Sequence, residues 1–120
     1  DIFALMDAIS EKNKAKALKL FRDQLDSGAN EMYLLTMLIR QFRILWQVKE
    51  ALNKKALTSD ALARELKIHP YVAKRSMIFA KNFSMEQLKA LYGKLLEFDV
   101  KIKTSNTSFE LLFDLMIARI

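Results

Sequence analysis

The stretch NEMYLLTMLIRQFRILWQVKEALNK, residues 30–54, decides the fold of this chain of 120 residues. Asn30 is a favourable residue for capping the start of a helix, and most residues from there to Val48 are apolar. The polar side chains recur every three or four residues, so they follow one line along a helix and leave a wide apolar arc. This pattern predicts one long helix that its neighbours cover on two or three sides. We call the line the polar stripe; it consists of Arg40, Arg43, Gln47, Glu50 and Lys54.

Trp46 stands in the apolar arc of this predicted helix, beside Phe42 and Leu45. This setting predicts that the indole ring is buried in the core and that its fluorescence emission is shifted to the blue. On that prediction, truncation of Trp46 to alanine lowers the free energy of unfolding by about 3–5 kcal/mol, as for other large aromatic side chains in a core.

Helix-forming residues also dominate the rest of the chain, which holds two glycines and one proline. Gly28 suits a position of positive φ just after a helix, and Pro70 suits the first position of a helix that His69 precedes. Thr58 suits the cap of a short helix before them. Two further helix starts match the capping-box pattern, namely Ser84 with Gln87 and Thr107 with Glu110.

These signals predict six further helices, at residues 2–9, 13–26, 58–66, 69–82, 84–103 and 107–120. Together with the stretch that decides the fold, they predict an all-α bundle of about seven helices around a long central helix. A chain of this length is large enough for one hydrophobic core. We therefore expect a single helical domain over residues 1–120.

The composition excludes several classes of protein. Hydrophobic residues make up 52% of the chain and charged residues 28%, which is the balance of a folded domain rather than a disordered one. Because the chain has no cysteine, disulfides, thiolate metal sites and thiol nucleophiles are excluded, which fits a cytoplasmic protein. No apolar run approaches the roughly 20 residues that cross a membrane. Since the first residue is Asp1 rather than methionine, we expect a piece of a longer protein.

The sequence offers no group of residues that could catalyse a reaction. His69 is the only histidine, and its place before Pro70 suits a helix cap rather than a zinc ligand. Gly28 and Gly93 stand alone, so neither belongs to a phosphate-binding loop. We therefore predict that this chain has no catalytic, cofactor-binding or metal-binding residue and no small-molecule substrate.

The formal net charge is +6, and the excess is greatest in residues 61–90, which carry six basic and two acidic side chains. Such an excess indicates nucleic acid, an acidic partner or simply a solvated helix face. Residues 58–82 are similar to a helix-turn-helix, whose second helix would present Tyr71, Lys74 and Arg75 to DNA. The structural alternative is a helical hairpin that packs on the long helix through Leu62, Leu66, Val72, Met77 and Ile78.

Several segments, in order along essentially the whole chain, resemble the C-terminal part of the delta subunits of bacterial DNA polymerase III. The more specific of them are the Arg-Gln-Phe-Arg helix and the His-Pro-Tyr-Val helix start. The segments are Ile2-Phe3-Ala4-Leu5 with Ala8-Ile9, Ala17-Leu18-Lys19-Leu20, Leu38-Ile39-Arg40-Gln41-Phe42-Arg43 with Gln47-Val48-Lys49-Glu50, His69-Pro70-Tyr71-Val72 with Lys74, Phe83-Ser84 to Leu88, and Asp99-Val100-Lys101-Ile102-Lys103.

The resemblance implies a helical collar domain from the C-terminal end of a clamp-loader protein. In that family, the collar domains of five subunits pack side by side in a ring, while N-terminal modules act on the sliding clamp and the nucleotide. The implied partners are the other clamp-loader subunits, with the sliding clamp and primed DNA reached through the parent complex, a part of the DNA polymerase III holoenzyme. Arg40, Arg43 and Gln47 are the candidate partner contacts, and a plain solvent-facing stripe is the alternative.

Overall fold

Seven helices and no strands form the protein, and the computed structural model describes all of residues 1–120. The long central helix and the all-α class that the sequence predicts are both confirmed. The helices are α1 (Ile2–Ser10), α2 (Lys14–Asp26), α3 (Glu31–Lys54), α4 (Ser59–Leu66), α5 (Pro70–Ala80), α6 (Met85–Thr104) and α7 (Phe109–Ala118).

Local sequence chemistry sets most helix ends. The side chains of Asn30 and Thr58 accept hydrogen bonds from backbone N–H groups in the first turns of α3 and α4, as their residue types predict. Ser84 and Gln87 form the predicted capping box at the start of α6. Gly28, after α2, has a φ of +92°, a conformation that costs glycine nothing and other residues much more.

The predicted cap of the last helix is wrong. The last helix begins after Ser108, whose hydroxyl accepts from Leu111 N–H at 3.3 Å, so Thr107 is not its cap. A capping box matches by residue type alone, and Ser108 lies one residue further along the chain with an equally suitable hydroxyl. The helix ends otherwise agree with the prediction to within two residues; α5, for example, ends at Ala80, whereas the sequence predicts an end at about Asn82. In addition, Lys12 and Lys67 have positive φ values of 60° and 57°, which nothing in their residue type predicts.

The larger of two hydrophobic clusters joins α1, α2, α3, α6 and α7, and α5 contributes Phe79 to it. At its α2–α7 side, the Phe21 ring stacks on the Phe113 ring with centroids 3.9 Å apart, and Phe21 is fully buried. Polar contacts at the rim of the cluster also join helices: Lys14 Nζ donates to the Ala118 carbonyl at 2.9 Å. None of the seven helices combines the length and the apolar character that a membrane-spanning segment requires.

The smaller cluster packs the α4–α5 hairpin against the C-terminal half of α3. Ile44 and Val48 of α3 meet Leu62 and Ala63 of α4 there, together with two buried alanines of α5, Ala73 and Ala80. Because α3 contributes to both clusters, it is the spine of the domain. The polar stripe lies on the side of α3 that neither cluster covers.

Candidate protein-interaction surface

The polar stripe is exposed along its whole length, as the 3-4-3-4 spacing predicts. At the C-terminal end of the stripe, Lys54 and Glu50 form an ion pair, with Lys54 Nζ 3.7 Å from Glu50 Oε1. Arg40 and Arg43, in contrast, have no carboxylate within 4.0 Å. Two free guanidinium groups one turn apart can therefore bind carboxylates of another chain in the bidentate geometry that arginine favours.

Trp46 is only partly buried, so the prediction that it belongs to the core is wrong. Its ring contacts the edge of Tyr92 of α6, with ring centroids 5.9 Å apart and planes at 74°. Lys89 Nζ lies 6.0 Å from the centre of the indole ring, within the range of a cation–π interaction. The apolar arc of α3 is therefore wider than the buried core. Trp46 lies at the edge of this arc, where α3 faces α6. We call Trp46, Lys89 and Tyr92 the aromatic seam.

The aromatic seam and the polar stripe share one helix. Trp46 follows Arg43 by three residues and precedes Gln47 by one, so aromatic and guanidinium groups lie within one turn of each other on α3. Partly exposed aromatic rings and arginines are the side chains that most often anchor protein interfaces. Leu96 and Val100 add exposed apolar area on α6. This side of the domain is therefore a candidate binding surface for another protein.

Sequence reasoning missed Lys89 and Tyr92 as part of this surface. Tyr92 has a visible signal, because it borders the buried positions Leu88, Leu91 and Leu95 of α6 and carries a polar hydroxyl at the end of its apolar ring. No sequence pattern predicts the contact of Tyr92 with Trp46, because that contact depends on how α6 packs against α3.

The predicted helix-turn-helix is a tight hairpin whose inner residues pack on the spine. Lys67 adopts the left-handed conformation in the turn, and Ile68 N–H donates to the Ala63 carbonyl at 3.0 Å, which ends α4. His69 caps α5 through Nδ1, which accepts from Tyr71 N–H at 3.0 Å. The predicted packing residues are buried or partly buried, with one exception: Ile78 is 50% exposed. No other helix covers that side of α5, so a regular apolar spacing along α5 does not guarantee burial.

The three nucleic-acid candidates do not form one free surface. Lys74 is exposed and has no carboxylate within 4.0 Å. Tyr71 is half exposed, and its ring meets the Phe3 ring edge-on at 5.3 Å. Arg75 is paired with Asp7 of α1 at 3.6 Å, and its side chain is only 29% exposed. Of the three side chains, only Lys74 is exposed without an ion pair or an aromatic contact.

No group of three or more metal-ligating side chains is present in the fold. The exposed ion pairs lie at the surface, some within one helix and others between neighbouring helices. In one of them the Asp23 carboxylate accepts a hydrogen bond from Lys19 Nζ at 2.8 Å and so raises the pKa of that ammonium group.

Comparison with known proteins agrees with this fold and extends it. The family of C-terminal domains of the DNA polymerase III delta subunit matches residues 1–120. The chain is 27% identical over 120 residues to DNA polymerase III subunit delta of Bacillus subtilis (strain 168), covering all of this chain and 34% of that protein. The solved structure of the Bacillus subtilis DNA clamp loader delta protein superposes with a TM-score of 0.90 and 27% identity, covering 98% of this chain and 34% of that one.

The chain thus spans about a third of the length of the relatives that it matches. The family match and the superposition both extend over nearly every residue described above, including α3 and the α4–α5 hairpin. The chain therefore belongs to the family of C-terminal domains of the DNA polymerase III delta subunit.

Proposed function

We propose that this domain is the collar domain of a clamp-loader delta subunit, and that it holds the loader together while the sliding clamp is loaded in DNA replication. The observation that carries the proposal is the exposed side of α3, where the unpaired Arg40 and Arg43 lie beside the aromatic seam. Membership of the delta family supports the proposal, because the solved relative is named as a clamp-loader protein.

The surface would bind the other clamp-loader subunits through two kinds of contact. The rings of Trp46 and Tyr92 would lose their remaining exposed area against an apolar part of the partner, which provides most of the affinity. Arg40, Arg43 and Gln47 would bind carboxylate and carbonyl oxygens around that contact, which fixes orientation and selects the partner. The sliding clamp and primed DNA would be reached only through the assembled complex.

The proposal assigns no chemical step to this domain. Its helices supply a rigid scaffold, and any nucleotide chemistry in the parent complex would belong to other modules. We also propose that the parent protein works in the cytoplasm, where the replicated DNA of a bacterium lies.

The decisive experiment is assembly of the complex with and without this domain. The full-length protein is mixed with the other clamp-loader subunits, and the mass of the complex is measured by size-exclusion chromatography with light scattering. We expect the full-length protein to enter a stable complex and a version that lacks residues 1–120 to elute separately. A circular dichroism spectrum of the shortened protein serves as the control for folding. Equal assembly by both proteins would contradict the proposal.

Nucleic-acid binding by the α4–α5 hairpin is the second candidate function. The exposed Lys74 and the half-exposed ring of Tyr71 favour it, because a cation and an aromatic ring are common contacts to phosphates and bases. The engagement of Arg75 with α1 weakens it. We therefore place this candidate second and test it separately below.

A further inference from the structure

A surface cavity of about 180 Å³ lies where three parts of the fold meet. Lys12 comes from the α1–α2 connection, Gln87 and Lys94 come from α6, and Arg119 follows α7. The other lining residues are apolar, and they are Phe83, Ala90, Leu91, Met116 and Ile120. We call this cavity the α6–α7 pocket; it shares no residue with the polar stripe or the aromatic seam.

The polar lining of the α6–α7 pocket is basic, with no acidic side chain in it. Lys12 and Arg119 are exposed and have no carboxylate within 4.0 Å. Lys94 lies 3.2 Å from Glu97, but this pair is on the surface, where the attraction is small and an added anion can compete for the ammonium group. Two free cations and a third shared one therefore favour an anionic ligand.

Two hydrogen bonds add to this preference. Gln87 Oε1 accepts from the Ser84 N–H at 2.8 Å, so this bond holds the amide oxygen at the start of α6 while the NH₂ group remains to donate. Lys14 Nζ donates to the Ala118 carbonyl at 2.9 Å. A cation thus already lies at the C-terminal end of α7, where the helix dipole would otherwise repel an anion.

The apolar lining fits a single ring. Phe83, Leu91 and Met116 are each no more than 9% exposed, so this part of the lining belongs to the packed core and is fixed in place. An apolar cavity of about 150 Å³ is known to bind benzene, which sets the scale for this pocket. Pockets that enclose a whole small-molecule ligand are larger, at about 300–1,000 Å³. The volume therefore favours one side chain of another protein over a complete metabolite.

We propose that the α6–α7 pocket binds an acidic segment of a partner protein that inserts one phenylalanine-like side chain between carboxylates. The ring would contact Phe83, Leu91 and Met116, and the flanking carboxylates would pair with Lys12 and Arg119. This binding requires nothing from the polar stripe, so it stands or falls independently of the collar function proposed above.

The test uses the full-length protein with ¹³C-labelled methionine methyl groups, because Met116 reports from the pocket itself. The Met116 signal is identified by its loss in Met116→Leu. The probe is the peptide acetyl-Glu-Phe-Glu-amide, and we expect it to shift the Met116 methyl signal in a saturable way. The peptides acetyl-Gln-Phe-Gln-amide and acetyl-Glu-Ala-Glu-amide remove the charges or the ring, and each should bind about fivefold more weakly or worse.

Charge variants locate the binding. Lys12→Gln/Arg119→Gln should weaken binding of the first peptide about fivefold. The matched control, Arg64→Gln/Lys74→Gln, removes the same charge from the α4–α5 hairpin and should leave the affinity unchanged. The proposal is overturned by an unmoved Met116 signal, by equal affinity for the three peptides, or by equal loss in the control variant. If free 3-phenylpropanoate binds as tightly as the peptide, the ligand is a small carboxylic acid and the peptide assignment is wrong.

Discussion

Arg75 Nη2 lies 3.6 Å from Asp7 Oδ2, and this ion pair joins α5 to α1 across the domain. The guanidinium carbon also lies 5.2 Å from the centre of the Phe79 ring, which is fully buried. Arg75, which the sequence predicts to contact DNA, is thus part of the packing between helices. Arg75 therefore has a structural role, whereas Arg40 and Arg43 of the polar stripe are exposed and unpaired.

Loss of the Arg75 side chain should therefore destabilise the fold. We expect Arg75→Ala to lower the free energy of unfolding by about 1–2 kcal/mol, because it removes the ion pair, the contact with Phe79 and buried methylene groups. Lys74→Ala, at the exposed neighbouring position, should change it by less than about 0.5 kcal/mol. Urea denaturation of both variants, together with Asp7→Ala and the double variant Asp7→Ala/Arg75→Ala, measures the coupling in a double-mutant cycle. A neutral Arg75→Ala would contradict the packing role.

The isolated domain should bind DNA weakly and without sequence preference. Its net charge of +6 attracts duplex DNA at low salt, but that attraction weakens with a slope of about −0.9 per phosphate contact in a plot of log affinity against log salt. Titration of duplex DNA at low and physiological salt, with wild type and Lys74→Ala/Arg75→Ala, tests this. Sub-micromolar, sequence-dependent binding that persists at physiological salt and disappears in the variant would favour the nucleic-acid function instead.

Trp46 should behave as an edge residue rather than a core residue. We expect Trp46→Ala to cost about 1–2 kcal/mol of unfolding free energy, because only part of its area is withdrawn from water. Phe42→Ala, one turn away and fully buried, is the matched comparison and should cost about 3–5 kcal/mol. Since Trp46 is the only tryptophan, its fluorescence emission also reports the site directly. The emission should lie between that of a buried and that of a fully exposed indole; equal costs for the two variants would place Trp46 in the core.

Lys67→Gly should stabilise the domain. A side chain in the left-handed conformation destabilises the fold by about 1–2 kcal/mol, and glycine relieves this cost. The greater flexibility of glycine in the unfolded chain offsets about 0.5–1 kcal/mol of the relief. We expect a net increase of about 0.5–1 kcal/mol in thermal or urea denaturation experiments. Lys67→Ala keeps the Cβ atom and serves as the control, which should show no such gain. A destabilised glycine variant would mean that the lysine side chain itself supports the turn.

The sequence predicts the secondary structure closely because the signals are local. Asn30, Thr58 and His69 cap helices through their own neighbours, and Gly28 ends α2 through its own backbone freedom. The exposure of the polar stripe follows in the same way from helical spacing. Thr107 is a wrong cap because the adjacent Ser108 has a hydroxyl that caps the helix equally well, although only Thr107 matches the capping-box pattern.

Features that depend on how helices cross are less predictable. Trp46 and Ile78 both lie on apolar arcs, yet the neighbouring helices leave part of the first and half of the second uncovered. The pairing of Arg75 with Asp7 joins residues 68 positions apart, so no periodicity reveals it. The α6–α7 pocket likewise brings Lys12 to the end of the chain. These contacts depend on how the helices pack in three dimensions, and local sequence patterns carry no information about that packing.

The most direct test of the collar function is the affinity of the full-length protein for the other clamp-loader subunits when the polar stripe is altered. Isothermal titration calorimetry compares wild type with Arg40→Ala/Arg43→Ala and with a matched control, Lys16→Ala/Lys81→Ala, that removes the same charge from exposed positions on α2 and after α5. We predict that the stripe variant binds at least about tenfold more weakly, because interface arginines commonly contribute more than 1 kcal/mol each. The control should bind like wild type. Wild-type affinity in the stripe variant, with both variants folded, would contradict the account.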